Sequence, residues 1–326
     1  MKHLESSFTG KNSLWRYAVM FGAVLLASNT IGGIPLIIAY ALKSASQPEI
    51  ISEIAANPND LSVLGLDPNL GFLIMLFPFL VGLMTFIILI KPLNGRSLKM
   101  TINGTATLRW DKFWISFLLW LTLSAVYFLA NLKIDPSNFS LTNTSGTLVL
   151  LVIISMVFVP FQAAFEEVLF RGYLMQGFSV LFRNRWLPLL LTSLLFGLMH
   201  AFNPEVREFG FFTMIPQYVV FGIIFGIVTI LDDGIEAAIG AHTANNIFLC
   251  VMVTHKSSAL QTPAVYEQNN VYPFTEFALL LVSGILFVVI LKIIFKWERV
   301  ALLFTKVETE PAVDHSPYTD VLSSHR

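Results

Sequence analysis

Seven side chains in the second half of the chain are of types that could do chemistry together. Glu166, Glu167 and Arg171 stand in the run FEEVLFRG, Phe196 and His200 bound the run FGLMH, and His242 and Asn246 frame HTANN. Glu167 and Arg171 lie four apart, so on a helix they pair directly, and the pairing lowers the cost of placing both in a poor dielectric. Glu166 points about 100° away from Glu167 and has no partner in the local sequence. A carboxylate so placed is a candidate general base. Phe196 with His200, and His242 with Asn246, each share one helix face at i and i+4. Asn245 neighbours Asn246 but lies off the His242 face. Taken singly, each cluster has a plain structural role: an ion-pair network, a hydrogen-bonded core histidine, or hydrogen bonds between membrane helices. Taken together, they place one acid and two imidazoles on three helices, which is how sites in bundle cores are assembled.

The elements that must position these residues read as membrane helices. The chain is 55% hydrophobic and only 13% charged, where soluble domains carry about a quarter charged residues. A net charge of −1 gives no reason to expect nucleic acid as a partner. The lone cysteine, Cys250, excludes an intramolecular disulfide framework. The apolar run after the polar first residues is too long for a signal peptide and lacks a small-residue cleavage site.

Apolar runs predict an all-α, polytopic membrane bundle of about eight spanning helices, over 15–42, 71–91, 113–132, 147–180, 186–202, 209–230, 235–255 and 275–298. The fourth is too long for one straight crossing, and Pro160 offers it a place to kink. The seventh is too polar to face lipid, so its polar groups need neighbouring helices or a watery cavity. Fifteen of the 20 Lys and Arg fall in segments that share a side with the N-terminus, four fall on the other side, and Arg171 lies within a helix. The positive-inside rule then predicts both termini in the cytoplasm of a multi-pass cell-membrane protein.

The organisation expected is an N-terminal cytoplasmic tail over 1–14 and three helices with polar loops over 15–145. A core of four helices over 146–255 follows, then an outer loop and last helix over 256–304, and a polar, disordered tail over 305–326. At about 1.5 Å per residue, Glu166 and His200 lie about 20 Å from the cytoplasmic helix ends and His242 about 10 Å. That predicts one water-filled cavity opening toward the cytoplasm.

The order Glu-Glu-x-x-x-Arg, Phe-x-x-x-His, His-x-x-x-Asn, carried by Glu166, Glu167, Arg171, Phe196, His200, His242 and Asn246, resembles the CPBP family. That family includes type II CAAX prenyl endopeptidases and bacterial bacteriocin-processing and immunity proteins. The resemblance covers about a third of the chain, and no motif position departs from the pattern. It implies an intramembrane endopeptidase in which Glu166 and His200 activate a water while His242 and Asn246 stabilise the oxyanion. Glu167, Arg171 and Phe196 would support them. The implied partners are the bilayer and a membrane-associated peptide or lipidated protein, prenylated or carrying a leader. Family members have been described both as metalloproteases and as metal-independent glutamate proteases. No cofactor is therefore certain, and a divalent ion such as zinc, if bound, would take Glu166, His200 and His242 as ligands. Two other classes compete: a proton-coupled transporter using Glu166, His200 and His242 as a relay, and a non-catalytic immunity or scaffold protein that would tolerate loss of Glu166.

Overall fold

The computed structural model describes residues 3–52, 61–143 and 146–308. The chain begins with α1 (Leu14–Thr30) and α2 (Ile34–Ser46), which form one apolar rod with a turn at Ile31–Gly33. α3 (Pro68–Asn94) starts where Asp67 accepts hydrogen bonds from the Asn69 and Leu70 amides, at 3.0 and 3.2 Å, satisfying donors that a helix N-terminus leaves free. α4 (Leu98–Asn103) is a short connector to α5 (Trp110–Ile134). α6 (Thr147–Glu167) runs through a π-helical stretch, Val168–Leu174, into α7 (Met175–Phe182). Then follow α8 (Trp186–Met199), α9 (Pro204–Phe209), α10 (Phe211–Asp232), α11 (Glu236–Val251) and α12 (Pro273–Ile294).

Among the described residues, six helical rods are long and apolar enough to cross a membrane. α8, at 14 residues, is a shorter apolar helix, and the polar α11 has 16. Side chains such as Leu26, Ile88 and Ile285 point outward, 63–68% exposed, while Glu167 and Arg171 are fully enclosed. Apolar outside and polar inside is the distribution that hydrocarbon demands. This is a multi-pass helical membrane protein.

α11 lies at the centre, packed on α5, α6 and α10; α6 also packs on α3, and α3 on α1. Small residues allow the close approach. A Cβ at Gly240 of α11 would stand 2.9 Å from the Phe113 carbonyl carbon of α5, and one at Gly222 of α10 would stand 2.8 Å from the Ser193 backbone of α8.

Both ends of the described chain lie on one face. The His3 amide bonds Asp233, Glu5 pairs with Arg185, and the Val307 amide reaches the Arg183 carbonyl. The expected N-terminal tail is therefore not free: His3, Leu4 and Ser7 are buried, because Gln176 donates to the His3 carbonyl at 2.7 Å and Ser6 to the Met100 carbonyl at 3.0 Å. Residues 305–308 are docked as well, and the rest of the expected C-terminal tail lies outside the described residues, as does part of the 43–70 loop.

The opposite face carries a small sheet that an all-α reading does not anticipate. Its order is β1 (Phe139–Leu141), β3 (Tyr266–Gln268), β2 (Val253–Thr254), with β1 antiparallel and β2 parallel to β3. Strands of two or three residues show no period to read in a sequence.

Candidate active site

Glu166 and Glu167 are the last residues of α6, directly before the π-helical stretch. There the Met175 amide bonds the Phe170 carbonyl, five residues back. Such widened turns recur at functional sites. The irregularity expected at Pro160 falls here instead, and Pro160 sits inside the continuous α6.

Across the wider turn, Arg171 still reaches Glu167, Nη1 to Oε1 at 2.9 Å, both fully enclosed. The guanidinium lies 4.2 Å above the Phe196 ring, with Phe225 at 5.9 Å, so aromatic faces take up the part of the cation that no carboxylate meets. The same Glu167 oxygen accepts from Nδ1 of His242 at 2.7 Å. Because a carboxylate only accepts, Nδ1 carries the proton. His242 Nε2 then faces Glu166, 3.6 Å from Oε2. Phe225 stacks on the imidazole and Phe196 meets it edge-on.

Glu166 does have a local partner. Gln162, one turn earlier, donates to Oε1 at 2.7 Å, and its own carbonyl accepts from the Asn246 amide at 2.8 Å. Asn246 in turn accepts from Asn245 at 3.0 Å, and Asn245 accepts from the Trp120 indole at 3.2 Å. Asn245, set aside by its helical angle, thus belongs to the same polar chain. That chain runs from Trp120 through Gln162 and Glu166 to His242, Glu167 and Arg171. Glu166 Oε2 is enclosed without a hydrogen bond.

His200 follows the last residue of α8. Its Nδ1 lies 2.7 Å from the Phe196 carbonyl, so Nδ1 carries the hydrogen and Nε2 is left as an acceptor. Tyr218 of α10 stacks on the ring, centroids 4.1 Å apart and planes 20° from parallel. The Tyr218 hydroxyl donates to Glu205 and accepts from Asn203 at 3.0 Å. Burial pushes the Glu205 carboxyl above the usual carboxylate range, against the opposing pull of the Tyr218 hydrogen bond.

Glu166, His200, His242 and Asn246 line one cavity of about 490 Å³, together with Gln162, Asn245, Tyr218 and Glu205. Apolar walls come from α1 and α3 through Leu25, Met75, Pro78 and Phe79. The lining continues through Asn203, Met214 and Ser258–Leu260, which belong to the face away from the termini. The cavity therefore extends toward the side opposite to the one expected from helix depth. Depth along each helix was compatible with one shared cavity but said nothing of which end of the bundle is splayed.

The helices that the sequence expectation grouped do line one cavity, and Gln162, Tyr218 and Glu205, which it did not single out, line it too. Gln162 was legible as a polar residue one turn from Glu166 in an apolar span. Tyr218 and Glu205 carried no signal, since their role depends on α9 folding back beside His200. Glu166, His200 and His242 do not form a metal-holding group among the described residues, so the metalloendopeptidase reading has no geometric support.

Residues 144–248 match the family model described as type II CAAX prenyl endopeptidase Rce1-like. The chain is 28% identical over 250 residues to "Uncharacterized protein YyaK" of Bacillus subtilis (strain 168), covering 76% of this chain and 81% of that relative. No solved structure matches the chain. The three motifs lie inside the matched segment, on the helices that surround the cavity, and over residues 144–248 the chain is similar to the Rce1-like type II CAAX prenyl endopeptidases.

Proposed function

We propose that this protein is an intramembrane endopeptidase that hydrolyses a peptide bond of a membrane-associated substrate within the 490 Å³ cavity. The observation that carries the reading is the polar chain that joins the first and third motifs, with His200 of the second lining the same cavity: Gln162 bridges Glu166 and Asn246, and His242 stands between Glu166 and Glu167. A structural ion-pair network needs Glu167 and Arg171. It does not need a second carboxylate with an unmatched oxygen facing a cavity.

Glu166 Oε2 and His200 Nε2 are both acceptors. A water between them donates one hydrogen to each, which turns its lone pair toward an incoming carbonyl carbon. Attack forms the C–O bond and moves a proton to Glu166 or His200. The tetrahedral oxyanion is met by the second amide hydrogen of Asn246 and by His242 Nε2, which serves when it too carries a proton. Such donors contribute about 2.7–4 kcal/mol each in a dry site. Arg171 offsets the charge of Glu167, with which it pairs at 2.9 Å. Collapse breaks the C–N bond and returns the proton to the leaving amine. The apolar α1 and α3 walls suit a lipid chain or an apolar peptide side chain beside the reacting bond.

The test uses detergent-purified wild type, Glu166→Ala and His200→Ala on prenylated, otherwise lipidated and leader-type peptides, each with and without a chelator. Both variants should lose about 10²- to 10⁴-fold in kcat. Full cleavage by either variant ends this assignment of roles. Loss of wild-type activity in chelator, restored by zinc, moves those residues from water activation to metal binding.

A further inference from the structure

Two carboxylates line the cavity, and the mechanism uses only Glu166. The other, Glu205, sits in the first turn of α9, between His200 and the face where the cavity lining ends. It is 8% exposed. Oε1 accepts from the Tyr218 hydroxyl, and Oε2 accepts no hydrogen bond. The influences on this carboxyl are burial and hydrogen bonds from Tyr218, its own backbone and Asn203, with no cation among them. No Lys or Arg lines the cavity among the described residues. An enclosed carboxylate oxygen without a donor is costly, and the polypeptide could have relieved it with a basic residue or an amide.

Tyr218 ties this oxygen to the site. Its ring lies flat on His200 while its hydroxyl holds Glu205, so the carboxylate stands one aromatic side chain away from the imidazole. A peptide whose reacting carbonyl lies between Glu166 and His200 passes Glu205 within a residue or two, at about 3.3–3.6 Å per extended residue.

We propose that Glu205 is a recognition subsite for a basic side chain, Lys or Arg, of the peptide substrate, held in place by Tyr218. A basic group there supplies the charge-assisted hydrogen bond that Oε2 lacks. It also balances the acidic surplus of the cavity. The inference rests on the peptidase reading, and it adds a sequence preference that the three motifs do not encode. Glu205 contacts neither the reacting bond nor the water; it selects which residue lies beside them.

The experiment varies one substrate position at a time on both sides of the cleaved bond, as Lys, Arg, Gln, norleucine or Glu, in a membrane-anchored peptide. At one position wild type should favour Lys or Arg over Gln by about 10- to 100-fold in kcat/KM, the worth of a hydrogen bond to a charged group. In Glu205→Gln, which keeps size and the contact to Tyr218, the ratio should fall to near one. In Glu205→Lys it should invert toward Glu. Tyr218→Phe should weaken the ratio while keeping the stack on His200. An unchanged ratio in Glu205→Gln, or no basic preference in wild type at any position, overturns the proposal. Binding of fluorescent Lys and Gln peptides to Glu166→Ala reads the subsite without turnover. Tighter binding of the Lys peptide, lost when Glu205→Gln is added, supports the subsite even if wild type cleaves nothing, in which case the peptidase reading alone fails. Equal binding of the two peptides sinks the subsite whatever the turnover.

Discussion

Gln162 is the side chain on which the geometry of the site turns. It gives a hydrogen to Glu166 and takes one from Asn246, so the carboxylate and the carboxamide are each fixed by the same amide. Removing it leaves two polar groups loose inside a dry cavity, each at a cost of about 1–3 kcal/mol. Gln162→Leu, close in volume, should keep the bundle folded and reduce kcat by about 10- to 100-fold, by the size of one such hydrogen bond to a charged group. Turnover measured beside the thermal melt separates the two effects, and an unchanged kcat would show that Asn246 and Glu166 orient themselves. Glu167 plays the opposite part. Its Oε1 meets Arg171 and His242 together and it does not line the cavity, so it fixes the ring of His242 rather than meeting substrate.

At the scale of the element, helix contacts set which polar residues converge. Gly240 lets α11 approach α5 backbone to backbone, and the approach carries His242 and Asn246 to their places on the cavity wall. Gly240→Leu should lower the melting temperature and the activity together, because the atoms it meets are backbone and cannot turn aside; a normal melt with that variant would show the helices have room to part. The N-terminal segment is the other element with a measurable consequence. His3 Nε2 lies 3.1 Å from the Arg171 carbonyl and Nδ1 lies 3.4 Å from the Gln176 amide, an arrangement that fits a neutral ring protonated on Nε2. Burial pushes His3 below its ordinary value, opposed by Asp233 and Glu236, while Arg109 adds to the lowering. The undocked segment therefore takes up a proton first. Docking is complete above the ordinary histidine value of about 6.5 and weakens as pH falls below it. Limited proteolysis within residues 3–13 should accelerate on acidification through that range and become flat with pH in His3→Gln. An equal rate at every pH in the wild type would remove His3 as the cause.

For the whole molecule, the sidedness of the cavity is the consequential feature. Lys99 lies with the termini, while Ser258 lines the cavity on the opposite face. If the terminal face is cytoplasmic, as the charge asymmetry of the sequence predicts, the cavity opens to the outer side. In a Cys250→Ser background, Ser258→Cys should react with a membrane-impermeant maleimide added to intact cells, and Lys99→Cys should react only after permeabilisation. The reverse pattern would place the termini outside and the cavity toward the cytoplasm, with the bundle itself unchanged.

The sequence by itself determined that this chain lives in a bilayer, since long apolar runs have no other solvent in which they are stable. It also singled out which helices carry the candidate residues, since ionisable residues are tolerated inside spans only where something satisfies them. Glu166, His200, His242 and Asn246 were legible for that reason, as was the Glu167–Arg171 pair through its i, i+4 spacing. Only the tertiary structure decided that Gln162 and Asn245 complete the polar chain, that Tyr218 stacks on His200, that the N-terminal segment is docked, and that the cavity opens away from the termini. These depend on how helices distant in sequence are rotated and splayed against one another. A periodic pattern fixes the face of one helix, and it carries no information about what that face meets.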